Sequence, residues 1–427
     1  MTQIILTCGL CFGDEGKGTI VEALVARHNA HTVVRYSGGP QAAHTVVEDG
    51  RHHVFAQFGS GTLLGAKTHL SRFMLVDPLR MAQEAAVLNS IGVCRPLELM
   101  TIDEDCPMVT PLHRMAGQLR ELARTEKHGS TGMGIWETTR LHRELGAGYV
   151  PMAADLQRPA KLAAKLNDLR NYLLGDLREL RHADALTRKI YLDLVDYDLR
   201  MLAGTYETIA KVVRVVSGEY LYTILKSGCT VFEGSQGVLL DENNGFFPHV
   251  TGTTTTLANA EQLLGEAGIY GPVRRIGILR SYMTRHGAGP LPTEMPEPPV
   301  MEAHNKTTEW AGVFRAGPLD MVALRYAMEV EPVDELAVTH LDQWKEFGAA
   351  CIQYRPGEVG DMEALGQGHR IVGQPTPEQM ESVTKALSRC VPCYERWTDP
   401  VSEIENRLGR LVTIQGWGPR RQNKIWR

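Results

Sequence analysis

A glycine-rich heptapeptide near the start of the chain constrains the fold more than any other feature. Residues 13–19 read G-D-E-G-K-G-T, between the apolar run I-I-L-T-C-G-L and the helix-like segment T-I-V-E-A-L-V-A-R. A second apolar run, H-T-V-V-R-Y, follows, so the predicted order is strand, loop, helix, strand. Such a unit builds a parallel sheet, and its loop offers backbone N–H groups, a helix N-terminus and a lysine to a polyphosphate.

The heptapeptide is not a Walker A loop. That motif has glycine where this chain has Cys11 and serine or threonine where it has Gly18, and it has no acid at the position of Asp14. A tight turn with a surface lysine is the alternative interpretation of a generic G-x-x-G-K. The complete heptapeptide directly after a strand is much more specific.

Four further apolar runs favour a mostly parallel sheet. They lie at 229–235, 274–282, 335–342 and 411–417, and each ends in polar or glycine-rich residues. Ligands of an open α/β sheet bind beyond the carboxyl ends of its strands, so we expect the chemistry there. The sequence therefore predicts an α/β fold in one large domain, residues 1–427, with a large, mostly parallel central sheet flanked by helices.

Two segments differ from this pattern. Residues 156–216 have leucine and charged residues at helical spacing and almost no glycine, which predicts a helical subregion that covers the sheet or pairs with another subunit. Residues 287–308 are rich in proline and glycine, which indicates irregular structure. Long irregular segments in compact proteins are usually functional, so we predict a substrate loop region at 287–320.

Composition argues against several classes of protein. The formal charge is −5 and no run of five like charges occurs, so neither a nucleic-acid partner nor a membrane partner is expected. No apolar stretch approaches the roughly 18 residues of a membrane helix, and no basic residues precede the first apolar run, which favours a cytoplasmic protein. The pairs Cys8/Cys11 and Cys390/Cys393 could form a zinc site, but reduced buried thiols are the favoured interpretation.

Further motifs follow the heptapeptide in order along nearly the whole chain. They are V-V-R-Y-S-G-G-P-Q-A-A-H-T at 33–45, G-S-T-G-M-G-I at 129–135, F-E-G-S-Q-G-V-L-L-D at 232–241, P-H-V-T at 248–251 and W-G-P-R-R at 417–421. These motifs and the heptapeptide resemble those of the adenylosuccinate synthetase family. Residues 277–294 resemble that family's G-I-L-K-A-Y-x-T-R-x-G-A-G-P-x-P-T-E.

The resemblance implies a GTP-dependent ligase. It would phosphorylate the 6-oxo group of a purine nucleotide, IMP or a relative, and replace it with an amine, which is aspartate by family default. Activation is needed because oxide is too poor a leaving group for an amine to displace. By resemblance, Asp14 takes the N1 proton, His44 is the acid during γ-phosphoryl transfer, and Lys17 steadies the transferred group. Mg²⁺ is the implied cofactor, held by Asp14 and the backbone of Ala43.

The resemblance also implies which residues bind the two nucleotides. Those for the purine nucleotide substrate are Gln41, Thr131, Gln236 and Thr251, and those for GTP are Gly13, Glu15, Gly16, Gly18, Thr45, Asp342, Gly416 and Gly418. Asp342 ends a strand as the family's guanine-binding aspartate does, and a carboxylate suits the N1 and N2 hydrogens of guanine. A homodimer is also implied, with Arg140 or Arg143 near the position of the arginine that the family shares across its interface.

The amine loop departs from the family pattern. The family's T-T-G-R-R-R-R-T-G-W-L-D holds the carboxylates of aspartate with arginines, whereas residues 307–320 read T-T-E-W-A-G-V-F-R-A-G-P-L-D. Thr308 and Arg315 are the predicted amine-binding residues. Trp310, Val313 and Phe314 suggest an apolar pocket wall in place of the missing guanidinium groups.

The motifs that bind the purine nucleotide also depart from the family pattern. G-P-Q-A-A-H replaces G-H-N-A-G-H, and Met133 lies at a position where the family has arginine. Three interpretations stay open. The chain is a divergent enzyme that still uses IMP and aspartate, a paralogue that uses another amine or purine nucleotide, or a non-catalytic nucleotide-binding subunit. Retention of both Asp14 and His44 argues against the last.

Overall fold

The computed structural model describes residues 3–48, 50–125, 131–300, 310, 312–358 and 376–427. The strands in these ranges are β1 Ile4–Gly9, β2 Thr32–Arg35, β3 His44–Glu48, β4 Arg51–Phe55, β5 Lys67–Leu70, β6 Met100–Asp103, β7 Arg214–Val216, β8 Thr230–Glu233, β9 Arg274–Arg280, β10 Tyr282–His286, β11 Phe314–Asp320, β12 Glu335–Thr339, β13 Ala349–Arg355, β14 Val391–Arg396, β15 Val412–Gly416 and β16 Lys424–Trp426. The α-helices are α1 Lys17–His28, α2 Pro78–Ser90, α3 Pro111–Ala123, α4 Ile135–Leu145, α5 Pro159–Asp176, α6 Ala185–Val195, α7 Leu199–Ala210, α8 Tyr220–Lys226, α9 Ala258–Glu266, α10 Met321–Val330, α11 Trp344–Phe347, α12 Pro377–Leu387 and α13 Pro400–Leu408.

Ten strands form the central sheet, in the order β16-β15-β12-β9-β1-β8-β2-β5-β6-β7. Every neighbouring pair is parallel except β15 and β16. Strand β1 is buried along its whole length, as expected for a parallel strand covered on both faces, and this explains its continuous apolar sequence. The predicted α/β fold with a large, mostly parallel sheet is confirmed.

Two smaller sheets accompany the central one. A four-stranded sheet has the order β10-β11-β13-β14, and β3 and β4 form an antiparallel hairpin. Strand β10 begins two residues after β9 ends and pairs antiparallel with β11. The four-stranded sheet therefore starts at the carboxyl edge of the central sheet, where the chemistry is expected.

The predicted helical subregion consists of α5, α6 and α7. Its buried leucines recur every three or four residues along α5 and pack in one core with α2 and α3; they are Leu162, Leu166, Leu169 and Leu173. The prediction was wrong at its end, because Arg214–Val216 forms β7 at the edge of the central sheet. Two adjacent valines, which suit a strand better than a helix, account for this difference.

The predicted substrate loop region also ends differently. Phe314–Asp320 forms β11, so the last part of 287–320 is a strand, and pairing with β10 fixes its register. Residues 301–309 and 311 lie outside the described residues, and Thr308 is among them.

Cys8, Cys11 and Cys390 are buried, and Cys393 is half-buried. Within the described ranges, no group of three or more histidine, cysteine or acidic side chains could hold a metal ion. No helix in those ranges is long and apolar enough to cross a membrane.

Candidate active site

Several of the predicted site residues lie where parallel strands end at one edge of the central sheet. The strands are adjacent, in the order β15-β12-β9-β1-β8-β2. Asp14 follows β1, Gln236 follows β8 and Asp342 follows β12. The fold therefore brings together residues that are hundreds of positions apart in the chain, as expected for an open α/β sheet.

The loop between β1 and α1 is organised around the carboxylate of Glu15. Its Oε1 accepts hydrogen bonds from the backbone N–H groups of Cys11, at 3.0 Å, and Gly13, at 2.9 Å, while Oε2 accepts one from Lys17 Nζ. Both charged side chains are buried. A buried cation needs a partner, and Glu15 supplies it here. The predicted GTP-binding residue Glu15 thus uses its side chain to shape the loop.

The start of α1 packs tightly against β3. A β-carbon added to Gly18 would lie 3.0 Å from the backbone carbonyl carbon and the β-carbon of His44 and from the carbonyl oxygen of Thr45. This close approach explains why the loop has glycine where a Walker A loop has serine or threonine. It also places His44 and Thr45 beside the helix N-terminus that the sequence predicts for phosphate.

His44 forms a buried pair with Glu233, the last residue of β8. His44 Nδ1 lies 2.6 Å from Glu233 Oε1. The same carboxylate accepts a hydrogen bond from the backbone N–H of Ser60, at 3.0 Å, and one from its hydroxyl. Arg35, at the end of β2, is also fully buried and donates to Ser235, the second residue after Glu233, at 2.8 Å.

This environment fixes the protonation of the pair. Burial alone would raise the pKa of Glu233, but His44, Arg35 and Ser60 lower it to about 2. An ionised carboxylate only accepts hydrogen bonds, so Nδ1 of His44 carries the proton that joins the two residues. Burial lowers the pKa of His44, against the opposing charge of Glu233. Nε2 is then the ring nitrogen left for proton exchange with a ligand.

Asp14 adopts a left-handed backbone conformation, with φ 59°. Its Oδ2 lies 3.0 Å from Nε2 of His286, and its carbonyl oxygen accepts a hydrogen bond from Arg280 at 3.1 Å. Burial would raise the pKa of Asp14, but His286, Arg280 and Lys17 lower it below its usual value. The carboxylate is therefore ionised near neutral pH and able to accept a proton.

Two glutamines predicted to bind the purine nucleotide have buried amide groups that lack a partner within the described structure. These atoms are Nε2 and Oε1 of Gln41 and Oε1 of Gln236. Buried polar groups are normally hydrogen-bonded, so these amides fit a polar ligand. The other two predicted residues, Thr131 and Thr251, are exposed and half-buried respectively.

The residues predicted for GTP converge on the other side of the loop. Thr339, at the end of β12, donates a hydrogen bond to the carbonyl of Glu15 at 2.8 Å, and Thr19 in α1 donates to the carbonyl of Pro419 at 2.7 Å. The segment after β15, which contains Gly418, therefore lies against the start of α1. Asp342 is exposed beside it, in a short 3-10 helix after His340.

Arg315, the one arginine of the amine loop in this chain, already has partners within the protein. NH1 donates to Glu294 at 2.7 Å, and NH2 donates to the carbonyl oxygens of Gly287, at 2.6 Å, and Gly289, at 2.8 Å. Nε is buried and lacks a partner in the described structure. A bidentate clamp on a carboxylate needs two donors along one edge of the guanidinium, and these donors are engaged.

Trp310 contributes an apolar surface close to the nucleotide motif at 129–135. A β-carbon added to Gly132 would lie 2.8 Å from the Trp310 ring. Phe314 packs against His286 with ring centroids 5.2 Å apart, and Val313 is exposed. These contacts agree with the apolar character that the sequence predicts for the amine loop.

Sequence reasoning did not single out Glu233, Ser60, His286 or Glu294. Glu233 carried a usable signal, because it is an acid at the end of a buried strand. Glu294 ends the motif at 277–294, but the motif does not indicate its partner. Ser60 and His286 had no signal in the sequence, because their partners come from distant elements.

Comparisons with known proteins agree with the fold and the motifs. The family profile "Adenylosuccinate synthetase" matches residues 6–425. Adenylosuccinate synthetases of Azotobacter vinelandii and Chromohalobacter salexigens are each 31% identical to this chain and are matched over 100% of it and 98% of their own length.

Two solved structures share the fold. Fully ligated adenylosuccinate synthetase from Plasmodium falciparum has a TM-score of 0.80 and 20% identity, with complete coverage of both chains. Cyanophage S-2L succinoaminodeoxyadenylate synthetase, bound to dGMP and dATP as an energy donor, has a TM-score of 0.62 and 18% identity, over 100% of this chain and 95% of its own. Since profile, relatives and fold agree over the whole length, this chain belongs to the adenylosuccinate synthetase family, ligases that form a C–N bond with the use of GTP.

Proposed function

We propose that this protein uses GTP to phosphorylate the 6-oxo group of a purine nucleotide and then joins to that carbon an amine less charged than aspartate. Family membership supports the reaction class. The observation that carries the chemistry is the pair of ionisable groups beside the loop after β1, with Asp14 ionised and His44 hydrogen-bonded to Glu233. These are the two proton-transferring groups that activation of a purine oxygen requires.

Asp14 removes the N1 proton, which makes the 6-oxygen nucleophilic toward the γ-phosphorus. His44 acts on the phosphate side. With Nδ1–H committed to Glu233, Nε2 gains a proton when the negative charge of the polyphosphate raises the basicity of the ring. Lys17 offsets charge on the transferred group, and the N-terminus of α1 supplies N–H donors. The amine then displaces phosphate from C6.

Mg²⁺ is compatible with this arrangement. The carboxylate of Asp14 is 25% exposed, and Ala43 is exposed at the start of β3. Mg²⁺ typically uses one or two protein ligands together with substrate phosphates, so the absence of an acidic cluster from the described residues does not argue against it. Asp14 and the carbonyl of Ala43 would hold the ion, which would neutralise phosphate charge.

The amine is the part of the reaction in which we expect this chain to differ from its family. Arg315 is engaged with Glu294 and two carbonyl oxygens. Trp310 and Phe314 lie in the part of the loop that carries the arginines in the family pattern. The conservative candidate remains aspartate, since the curated relatives are named adenylosuccinate synthetases. The likeness to a phage enzyme bound to dGMP is a reason to test guanine nucleotides as acceptors besides IMP.

A product screen tests the proposal. Purified protein is incubated with GTP, Mg²⁺, a panel of IMP, GMP and dGMP, and a panel of aspartate, neutral amino acids and simple amines, and products are identified by mass spectrometry. The expected product has the mass of the nucleotide plus the amine minus water, and it forms only when GTP is hydrolysed. GTP binding without any such product would favour the non-catalytic alternative.

GTP is expected to be strongly preferred over ATP, because Asp342 accepts from the N1 and N2 hydrogens of guanine and repels the acceptor at adenine N1. Asp342→Asn should lower kcat/KM for GTP by about tenfold, since a charged hydrogen bond contributes about 1.5 kcal/mol or more. Steady-state kinetics with both nucleotides measures this. Equal use of ATP and GTP by the unchanged protein would contradict the role of Asp342.

A homodimer with an interface near the site is expected, to which the helical subregion contributes. Large apolar side chains are exposed there, including Leu192 and Met201, the latter 65% exposed. Arg143 is the better candidate for a shared arginine, because it is 61% exposed and paired only with Glu242 among the ion pairs of the described residues, whereas Arg140 bonds three acids.

Light scattering at a series of dilutions, with activity measured on the same samples, tests this expectation. Activity should fall as the dimer dissociates, and Arg143→Ala should raise KM for the purine nucleotide without changing the mass of the particle. A monomer that stays fully active would contradict the shared site.

A further inference from the structure

His286 makes a direct contact with the predicted base. Its Nε2 lies 3.0 Å from Oδ2 of Asp14, and the side chains are 31% and 25% exposed respectively. The contact joins the end of β10 to the loop after β1. The family motif over residues 277–294 leaves the position of His286 unspecified, so the resemblance assigns it no role.

Strand pairing and a ring contact, both with Phe314, hold the His286 ring in place. The backbone of His286 is opposite Phe314 in the β10–β11 ladder, and the two rings pack with centroids 5.2 Å apart at 60°. Arg280, at the end of β9, holds the carbonyl of Asp14 from the same side at 3.1 Å. Both main-chain and side-chain oxygens of Asp14 are therefore bonded by residues of β9 and β10.

A general base must lie within about 2.6–3.2 Å of the proton it removes. An aspartate on a short loop has free rotation about two bonds, and either oxygen can turn away from the substrate. A hydrogen bond to Oδ2 fixes the plane of the carboxylate and therefore the direction in which it accepts a proton. Fixing a reacting group in this way contributes to rate without contributing to substrate affinity.

We propose that His286 is a positioning residue for Asp14, and that the β10–β11 hairpin through it sets the orientation of the base. This inference rests on the proposed function, since it takes Asp14 as the base. It adds a residue that the family pattern does not specify, and it connects β11, the strand in the last part of the amine loop, with the activation step at the purine.

The test compares His286→Leu, which removes the hydrogen bond, with His286→Gln, whose amide N–H reaches a similar position. His52→Leu, at an exposed histidine of β4, is the matched control. GTP turnover is followed as released phosphate, with Mg²⁺ and the most active nucleotide and amine of the panel above. We expect His286→Leu to lower kcat roughly 10-fold to 100-fold while KM for both nucleotides stays within about twofold.

His286→Gln should recover most of the lost kcat, and His52→Leu should be unchanged. The inference is overturned if His286→Leu keeps its kcat, if KM rises as much as kcat falls, or if the glutamine variant is no better than leucine. If the leucine variant does not fold, the glutamine variant alone decides, since it should remain within about threefold of the unchanged protein.

The variant Asp14→Asn separates this inference from the proposed function. In its background, His286→Leu should cause no further loss, because there is no base left to position. If Asp14→Asn itself keeps normal turnover, the role of Asp14 fails and the inference fails with it. If Asp14→Asn is inactive and His286→Leu is fully active, the function stands and only the inference is lost.

Discussion

Asp14→Asn and His44→Asn are each expected to lower kcat by about 10²-fold to 10⁴-fold, the range typical for loss of a general acid or base. Asp14→Asn removes the acceptor for the N1 proton, and the amide cannot take its place. His44→Asn removes the ring that links Glu233 to the phosphates, and it leaves that buried carboxylate without one of its donors.

The two variants should differ in stability. Asp14 is partly exposed, so its amide variant should melt close to the unchanged protein. His44→Asn leaves Glu233 buried with fewer hydrogen bonds, which should lower the free energy of unfolding by about 1–3 kcal/mol. Asp105→Asn and His52→Asn, both exposed, serve as matched controls. Single-turnover measurements with GTP decide the outcome, and near-normal rates in either active-site variant would remove the mechanism.

Much of the fold could be predicted because local sequence patterns indicate its strands. The apolar runs at 229–235, 274–282, 335–342 and 411–417 contain β8, β9, β12 and β15, and predicted site residues lie at the carboxyl ends of β8, β12 and β15. Parallel strands buried on both faces leave a strong signal in sequence. The short strand β7 was missed because three residues after a long helical segment carry no independent periodicity.

Pairings between distant residues could not be predicted in the same way. His44 and Glu233 are 189 residues apart, and nothing near either residue indicates the other. The sequence predicts that Glu15 is a loop acid that contacts the nucleotide, yet its carboxylate bonds the loop's own N–H groups and Lys17. The partners of a buried charge depend on tertiary packing, so sequence indicates that a partner is needed but does not identify it.

Arg315 illustrates the same limit and leads to the last prediction. From sequence it is the one guanidinium left for the amine, whereas in the structure it joins Glu294 to the 287–289 segment. We expect kcat/KM for aspartate to be about 10-fold to 100-fold below that of the best neutral amino acid or simple amine. The second carboxylate of aspartate would lose its hydration beside an apolar wall without gaining a charged hydrogen bond, which contributes about 1.5–3 kcal/mol.

Competition kinetics with aspartate and the neutral amines measures the ratio of their kcat/KM values directly. Two variants show whether Arg315 contributes to that ratio. Arg315→Ala should lower the free energy of unfolding by about 2 kcal/mol and leave the ratio between amines unchanged, because the guanidinium acts on the protein's own carbonyl groups. Glu294→Gln, which weakens the ion pair but preserves size, should also leave the ratio unchanged. A clear preference for aspartate that Arg315→Ala abolishes would mean that Arg315 leaves Glu294 to bind substrate, and the aspartate-using interpretation would then be correct.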